Sequence, residues 1–221
     1  MKVAVAYKGI LNAKKIEQEG LTEDTFDYCK LLIENHKNHL YEFFDNCDID
    51  FYFSTYNLNQ DINSLYQSEF NPKKYFYLEN YFLRNELTWS AQLRHYRNLI
   101  KGIKEQNDDY DLFVFSRVDI RFLKKFESLN IDFSKFNIVL EHPSKNCDDA
   151  FWIFPKEFLN AFEDSVNQLF ADNRITHEIN HELTKRSVDI NYMVDFDKNL
   201  GKPNEDILLG HDVFIPSTWD Q

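Results

Sequence analysis

Apolar residues along this chain change their spacing several times, and each change marks an element. Residues 3–7, VAVAY, form an unbroken apolar run closed by Lys8-Gly9, the pattern of a strand buried on both faces and followed by a turn. From Thr25 to about Phe44, the apolar positions Phe26, Cys29, Ile33, Leu40 and Phe44 fall near helical spacing. Residues 48–57, DIDFYFSTYN, return to a strand pattern that ends in the hydroxyl-rich Ser54-Thr55-Tyr56. Strand, helix, strand is the start of an α/β sheet.

Residues 58–82 mix polar and aromatic side chains around Pro72 and carry no period that assigns them. Beyond them a helix is expected from Glu86 to Glu105, through Leu87, Ala91, Leu93, Tyr96, Leu99, Ile100 and Ile103, with Asn107-Asp108-Asp109 closing it. YDLFVFSRVDIRF (110–122) reads as a third strand, and FNIVLEHP (136–143) and AFWIFP (150–155) as two more. Lys156 to Phe170 has an amphipathic helical pattern, and SVDINYMVD (187–195) alternates as a last strand. Gly201, Pro203 and Pro216 mark a C-terminal loop region over about 196–221. With no internal repeat, low-complexity tract or Gly/Ser linker, the expectation is a single α/β domain over 1–221, its central sheet mostly parallel and flanked by helices.

Composition narrows the function classes. A content of 43% hydrophobic and 28% charged residues, with 21 Phe and 12 Tyr, describes a ring-rich globular core and not a disordered chain. The net charge of -12 argues against a protein that grips nucleic-acid phosphate over a broad surface, and leaves room only for a local basic pocket. Cys29, Cys47 and Cys147 are odd in number and widely spaced, which suits reduced thiols in the cytoplasm and neither a disulfide framework nor a four-ligand zinc site. Lys8 interrupts the N-terminal apolar run, and no later segment reaches about 18 uncharged apolar residues, so a soluble chain without a membrane span is expected.

The chemistry concentrates where the third strand stops. Ligands of parallel α/β sheets gather beyond the carboxyl ends of the strands, and Arg117 and Asp119 stand at such an end. A carboxylate there can hold a hard divalent ion that bridges two phosphates, and a guanidinium beside it can donate paired hydrogen bonds to phosphate. The plain alternative is a solvated pair of little consequence.

KVAVAYKG, DIDFYFSTYN, WSAQLRHYRNLIKGI, YDLFVFSRVDIRF and DDAFWIFP, in that order, resemble the nucleotide-sugar-dependent glycosyltransferases of GT-A type found in bacterial surface-polysaccharide loci and large DNA viruses. The resemblance covers about residues 1–195. It implies a GT-A-like, Rossmann-like fold, a UDP- or GDP-sugar donor, a glycan or glycoprotein acceptor, and a divalent Mn or Mg ion. The family's usual Asp-x-Asp is here Arg117-Val118-Asp119, so the resemblance leaves Asp119 the metal or ribose role and gives Arg117 to the phosphates, with metal dependence open. It also implies that Tyr7, Lys8, Gly9, Ser54, Thr55 and Tyr56 belong to the nucleotide pocket, with Gln92, Arg94 and Arg97 facing the donor. Edge-of-core packing for either tyrosine, and an ordinary polar helix face for the other three, are the competing readings.

Inverting sugar transfer needs a group that removes the acceptor proton. By the same resemblance Asp149, ahead of Asp148, is the candidate base, with Glu141 and His142 in reserve; adjacent aspartates that cap a turn are the alternative. A rival motif is His177-Glu178-x-x-His181, the H-E-x-x-H pattern, in which two helical histidines would bind zinc and Glu178 would act as base. Its polar surroundings and the lack of a Gly-x-x-His extension count against a zinc hydrolase. A nucleotide- or sugar-binding module without turnover is a further alternative, motivated by the missing first acid.

Overall fold

In the computed structural model, residues 1–9, 25–56, 60–78, 88–122, 125–141, 145, 147, 149–194 and 209–210 are described. A seven-stranded sheet runs through them in the order β3-β2-β1-β4-β7-β6-β8. Its strands are β1 (Lys2–Gly9), β2 (Asp48–Tyr56), β3 (Lys74–Leu78), β4 (Leu112–Arg117), β6 (Phe136–Ile138), β7 (Phe151–Pro155) and β8 (Ile190–Tyr192). All neighbouring pairs are parallel except those that β7 makes with β4 and β6. The expected mostly parallel α/β sheet is therefore present. Parallel neighbours need crossovers, and helices α1 (Thr25–Phe43), α2 (Gln60–Phe70) and α3 (Thr88–Gln106) lie between the first four strands in sequence. Helices α4 (Leu159–Ala171) and α5 (Ile179–Lys185) follow among the described residues, and a two-stranded sheet joins β5 (Arg121–Phe122) to β9 (Leu209–Gly210). No described helix is long and apolar enough to cross a membrane.

Alternation along β1 sorts the core into two layers. Val3, Val5 and Tyr7 join Ile33, Phe51, Phe53 and Phe70 on the α1–α2 side of the sheet. Ala4 and Ala6 face the other side, where their small side chains let Tyr96, Leu99 and Ile100 of α3 approach. Trp152 stacks on Tyr96 in that layer, with ring centroids 4.8 Å apart. The abundance of rings is thus spent in the core, as the composition suggests.

Several elements differ from the sequence expectation. Residues 58–82, which had no period, hold α2 and β3, and Ile62, Tyr66 and Phe70 supply the buried face of α2. The stretch 110–122 is two strands, because the chain turns at Val118 to Ile120 and carries Asp119 off the sheet. The strand expected over 136–143 is regular only to Ile138, with an isolated bridge between Glu141 and Cys147 beyond it. The helix expected from Lys156 begins as a 3-10 turn, Lys156–Phe158, immediately after Pro155. Gly201, Pro203 and Pro216 lie outside the described residues.

Candidate functional site

Strand order reverses between β1 and β4: β2 and β3 continue to one side of β1, and the chain's later strands lie on the other. That reversal is the switch point beyond which open α/β sheets take their ligands. Register decides which side chains meet there. Lys8 is paired laterally with Ser54 of β2 and with Arg117 of β4, so these three form one row across adjacent strands on the α3 side. β7 is antiparallel to β4, which brings Asp149, just ahead of its first residue Phe151, to the same end of the sheet.

Lys8 and Asp149 are both buried, and Nζ of Lys8 donates to Oδ2 of Asp149 at 2.8 Å. The ammonium also lies over the Tyr96 ring, 4.5 Å from its centroid, while the Tyr96 hydroxyl donates to the backbone oxygen of Asp149. Thr176 Oγ1 lies 3.3 Å from Asp149 Oδ2 and 2.7 Å from Gln92 Oε1. His177 Nε2 stands 3.7 Å from the other carboxylate oxygen. Burial by itself raises the Asp149 carboxyl, but Lys8, His177 and Arg117 outweigh it and hold the group well below the usual carboxylate range.

Above this buried pair the Arg117 guanidinium grips Asp119 as a fork. Nε donates to Oδ1 at 2.9 Å and Nη2 to Oδ2 at 2.7 Å. Both side chains remain about a third exposed, at 29% and 32%. Gly9 is needed beside them: its φ of +133° disfavours other residues, and an added Cβ would lie 3.4 Å from Val118 Cγ1 and 3.5 Å from Asp119 Oδ1. The backbone continues the sheet past β4, with Val118 N donating to Lys8 O and Arg117 N to Ala150 O.

Ser54 reaches α3, where its Oγ meets Nδ1 of the buried His95 at 2.9 Å, and Tyr56 packs edge-on against the same ring. Burial, helped by the Lys8 charge, pushes His95 down to about 3. Its Nε2 has no hydrogen-bond partner among the described residues.

Of the residues picked from the sequence, Lys8, Ser54, Tyr56, Gln92, Arg117 and Asp149 thus share one end and the α3 face of the sheet, and Gly9 and Asp119 lie at the same end. Tyr7 and Thr55 do not, because odd and even positions of a strand point to opposite faces. Tyr7 is buried against Phe53 and Phe70, and its hydroxyl bonds His36, which closes it to a nucleobase. Thr55 is buried too. Arg94 and Arg97 lie on the far side of α3 from Gln92, along a groove with Asn98, Lys101 and Glu163; the Arg97 guanidinium covers the Phe170 ring. Asp148 and His142 lie outside the described residues.

The H-E-x-x-H stretch does not form one helix face. His177 and Glu178 belong to a 3-10 turn, Thr176–Glu178, and His181 to α5. Glu178, the base that zinc chemistry would require, accepts from Arg174 Nε at 2.6 Å. Among the described residues no three His, Cys, Asp or Glu side chains come together as a metal group. A Mn or Mg ion on Asp119 would share the carboxylate with the Arg117 fork.

Sequence reasoning missed His177 as a neighbour of Asp149, along with His95, Tyr96 and Thr176. A histidine on the apolar Leu93–Tyr96–Leu99 face of α3 was a local signal for His95. The meeting of His177 with Asp149 had none, since it depends on how the chain after β7 returns. The chain matches no family model and no curated protein sequence.

Proposed function

We propose that this chain is a GT-A-type glycosyltransferase that moves a sugar from a nucleoside diphosphate sugar to a hydroxyl of a glycan or glycoprotein. The observation that carries the reading is the Ser54–Lys8–Arg117 row at the sheet's switch point, where two cations, each held by a carboxylate, gather in a chain of net charge -12. Arg117 is the exposed cation and takes the diphosphate, with a geometry suited to paired phosphate contacts. Lys8 is too deeply buried to be a direct phosphate ligand, and it supports Arg117 and Asp149 from below. Asp119 serves the ribose or a Mn or Mg ion. No disulfide joins Cys29, Cys47 and Cys147, which suits a cytoplasmic setting.

Calorimetry with UDP, GDP, UDP-glucose and GDP-mannose, with and without manganese, tests this reading. Binding of at least one nucleotide is expected, and binding of none sinks it. A second reading, a donor-binding module without turnover, draws support from the burial of Asp149, the base expected from the sequence. Donor that binds but is neither hydrolysed nor transferred to a broad acceptor panel would favour the module.

A further inference from the structure

We propose that His177 is the general base of this site and that Asp149 is the carboxylate that orients it, an inference that rests on the transferase reading above. A base must have a lone pair that can reach the acceptor hydroxyl. Asp119 has both oxygens on Arg117. Asp149 is buried, with Oδ2 already shared by Lys8 and Thr176. The His177 side chain is a quarter exposed, at 25%, and its Nε2 lies 3.7 Å from Asp149 Oδ1.

The turn that carries His177 is pinned on two sides. Its backbone oxygen accepts from Cys147 N at 2.8 Å, and Thr176 is tied to Gln92 of α3. The charges that act on Asp149 besides His177 come from Lys8 of β1 and Arg117 at the end of β4, while Arg174, Glu178 and Glu182 on the segment around the turn pair with one another. α3 contributes the neutral Gln92, Tyr96 and His95. Lys8 keeps Asp149 ionised, so an imidazolium formed beside it meets a fixed negative charge. A buried acid that orients and a more accessible imidazole that moves the proton is the division of labour seen in Asp–His pairs. Their contact is commonly long before substrate binds and tightens in the complex.

In the step itself the acceptor O–H gives its proton to the His177 ring. The oxygen's electron pair forms the new bond to the sugar's anomeric carbon. The bond from that carbon to the β-phosphate oxygen breaks, and its electrons leave with the nucleoside diphosphate, whose charge falls to Arg117. Direct displacement inverts the anomeric centre, and His177 afterwards releases its proton to water.

The test follows hydrolysis of UDP-glucose and GDP-mannose, with water and a glycan panel as acceptors, beside calorimetric donor binding. His177→Gln should lose at least about 100-fold in kcat, the usual scale for a general base, while donor Kd stays within about twofold. His177→Ala should regain activity with added imidazole, and His181→Gln should behave as wild type. Thermal melts check folding, with His177→Asn as a second variant. His177→Gln that turns over like wild type overturns the inference and leaves the transferase reading standing. Loss of donor binding together with turnover overturns it too, since His177 would then be a binding residue. A wild type that binds donor without turnover removes the need for a base, and one that binds no nucleotide removes both readings.

Discussion

Lys8→Met isolates the buried pair. Methionine keeps the length and apolar stem of lysine but removes the charge that lies 2.8 Å from Asp149 Oδ2. The carboxylate is then left buried with Thr176, and with His177 and Arg117 farther off. Removing one partner of a buried ion pair costs about 3–5 kcal/mol, and the remaining pull of Arg117 and His177 favours the lower end of that range. For a chain of this size that is a fall of roughly 6–20 °C in Tm. The pH dependence has a defined sign. In the wild type the Asp149 value is depressed below its ordinary 3.8, so its stabilisation is present above that pH and fades only as the solution becomes more acidic. Without Lys8, burial dominates and raises the carboxyl, so the deficit is greatest at neutral pH and shrinks as protonation neutralises the group. Lys8→Met/Asp149→Asn should recover part of the loss, because no charge is then left unpaired. Urea unfolding at pH 7 and at pH 4.5 reads all three proteins. A single variant within about 1 kcal/mol of wild type at pH 7, or a deficit that grows on acidification, would refute the pair's role.

Burial lowers His36 from its ordinary 6.5 to about 4, so its share of stability is complete above pH 6.5 and is lost as pH falls toward 4, by about 3 kcal/mol. His36→Gln should flatten the stability–pH curve by that amount, and an unchanged slope would count against it. Gly102→Ala places a Cβ 2.6 Å from Phe76 Cε2 and 2.8 Å from Cζ. The helix-propensity gain of about 1 kcal/mol is outweighed by overpacking of about 1–3 kcal/mol, so Tm should fall; a rise would show that Phe76 yields freely. Asp119→Asn should weaken nucleotide binding if Asp119 holds a metal, and strengthen metal-free binding if its main effect is to occupy Arg117; calorimetry with and without manganese distinguishes the two, and unchanged affinity under both conditions places the site elsewhere.

Much of the fold was legible because its signals are local. VAVAY and FWIFP are runs that only a strand buried on both faces makes comfortable, and the α3 pattern from Leu93 to Ile103 keeps helical spacing throughout. Residues 58–82 were not legible, since α2 is short and its buried face is built from widely spaced Ile62, Tyr66 and Phe70, followed at once by a strand whose positions are mostly half-buried. At the site, sequence pointed to the right strand ends but not to the right faces. Tyr7 and Lys8 are adjacent, yet one enters the core and the other the polar row. Only parity along β1, once its neighbours were known, separates them. Asp149 was legible as a carboxylate at a strand's start; its burial against Lys8, 141 positions away, was not.

On the transferase reading, the same parity explains how an acidic protein holds an anion site. Among the described residues, each cation of the switch-point row has a carboxylate beside it: Lys8 has Asp149 in the buried layer and Arg117 has Asp119 in the exposed one. The two pairs differ in what an incoming diphosphate can do. Separating Lys8 from Asp149 would strand a charge away from water, so that pair is a fixed part of the scaffold. The Arg117 fork is partly solvated, and the hydrogen bonds it gives Asp119 have the geometry it would give phosphate. On the transferase reading Asp119 therefore occupies the donor's place on Arg117, and donor binding is an exchange of one anion for another. The departure from Asp-x-Asp then has a physical sense: the first position supplies the positive charge, and the retained acid keeps that charge oriented until the diphosphate arrives.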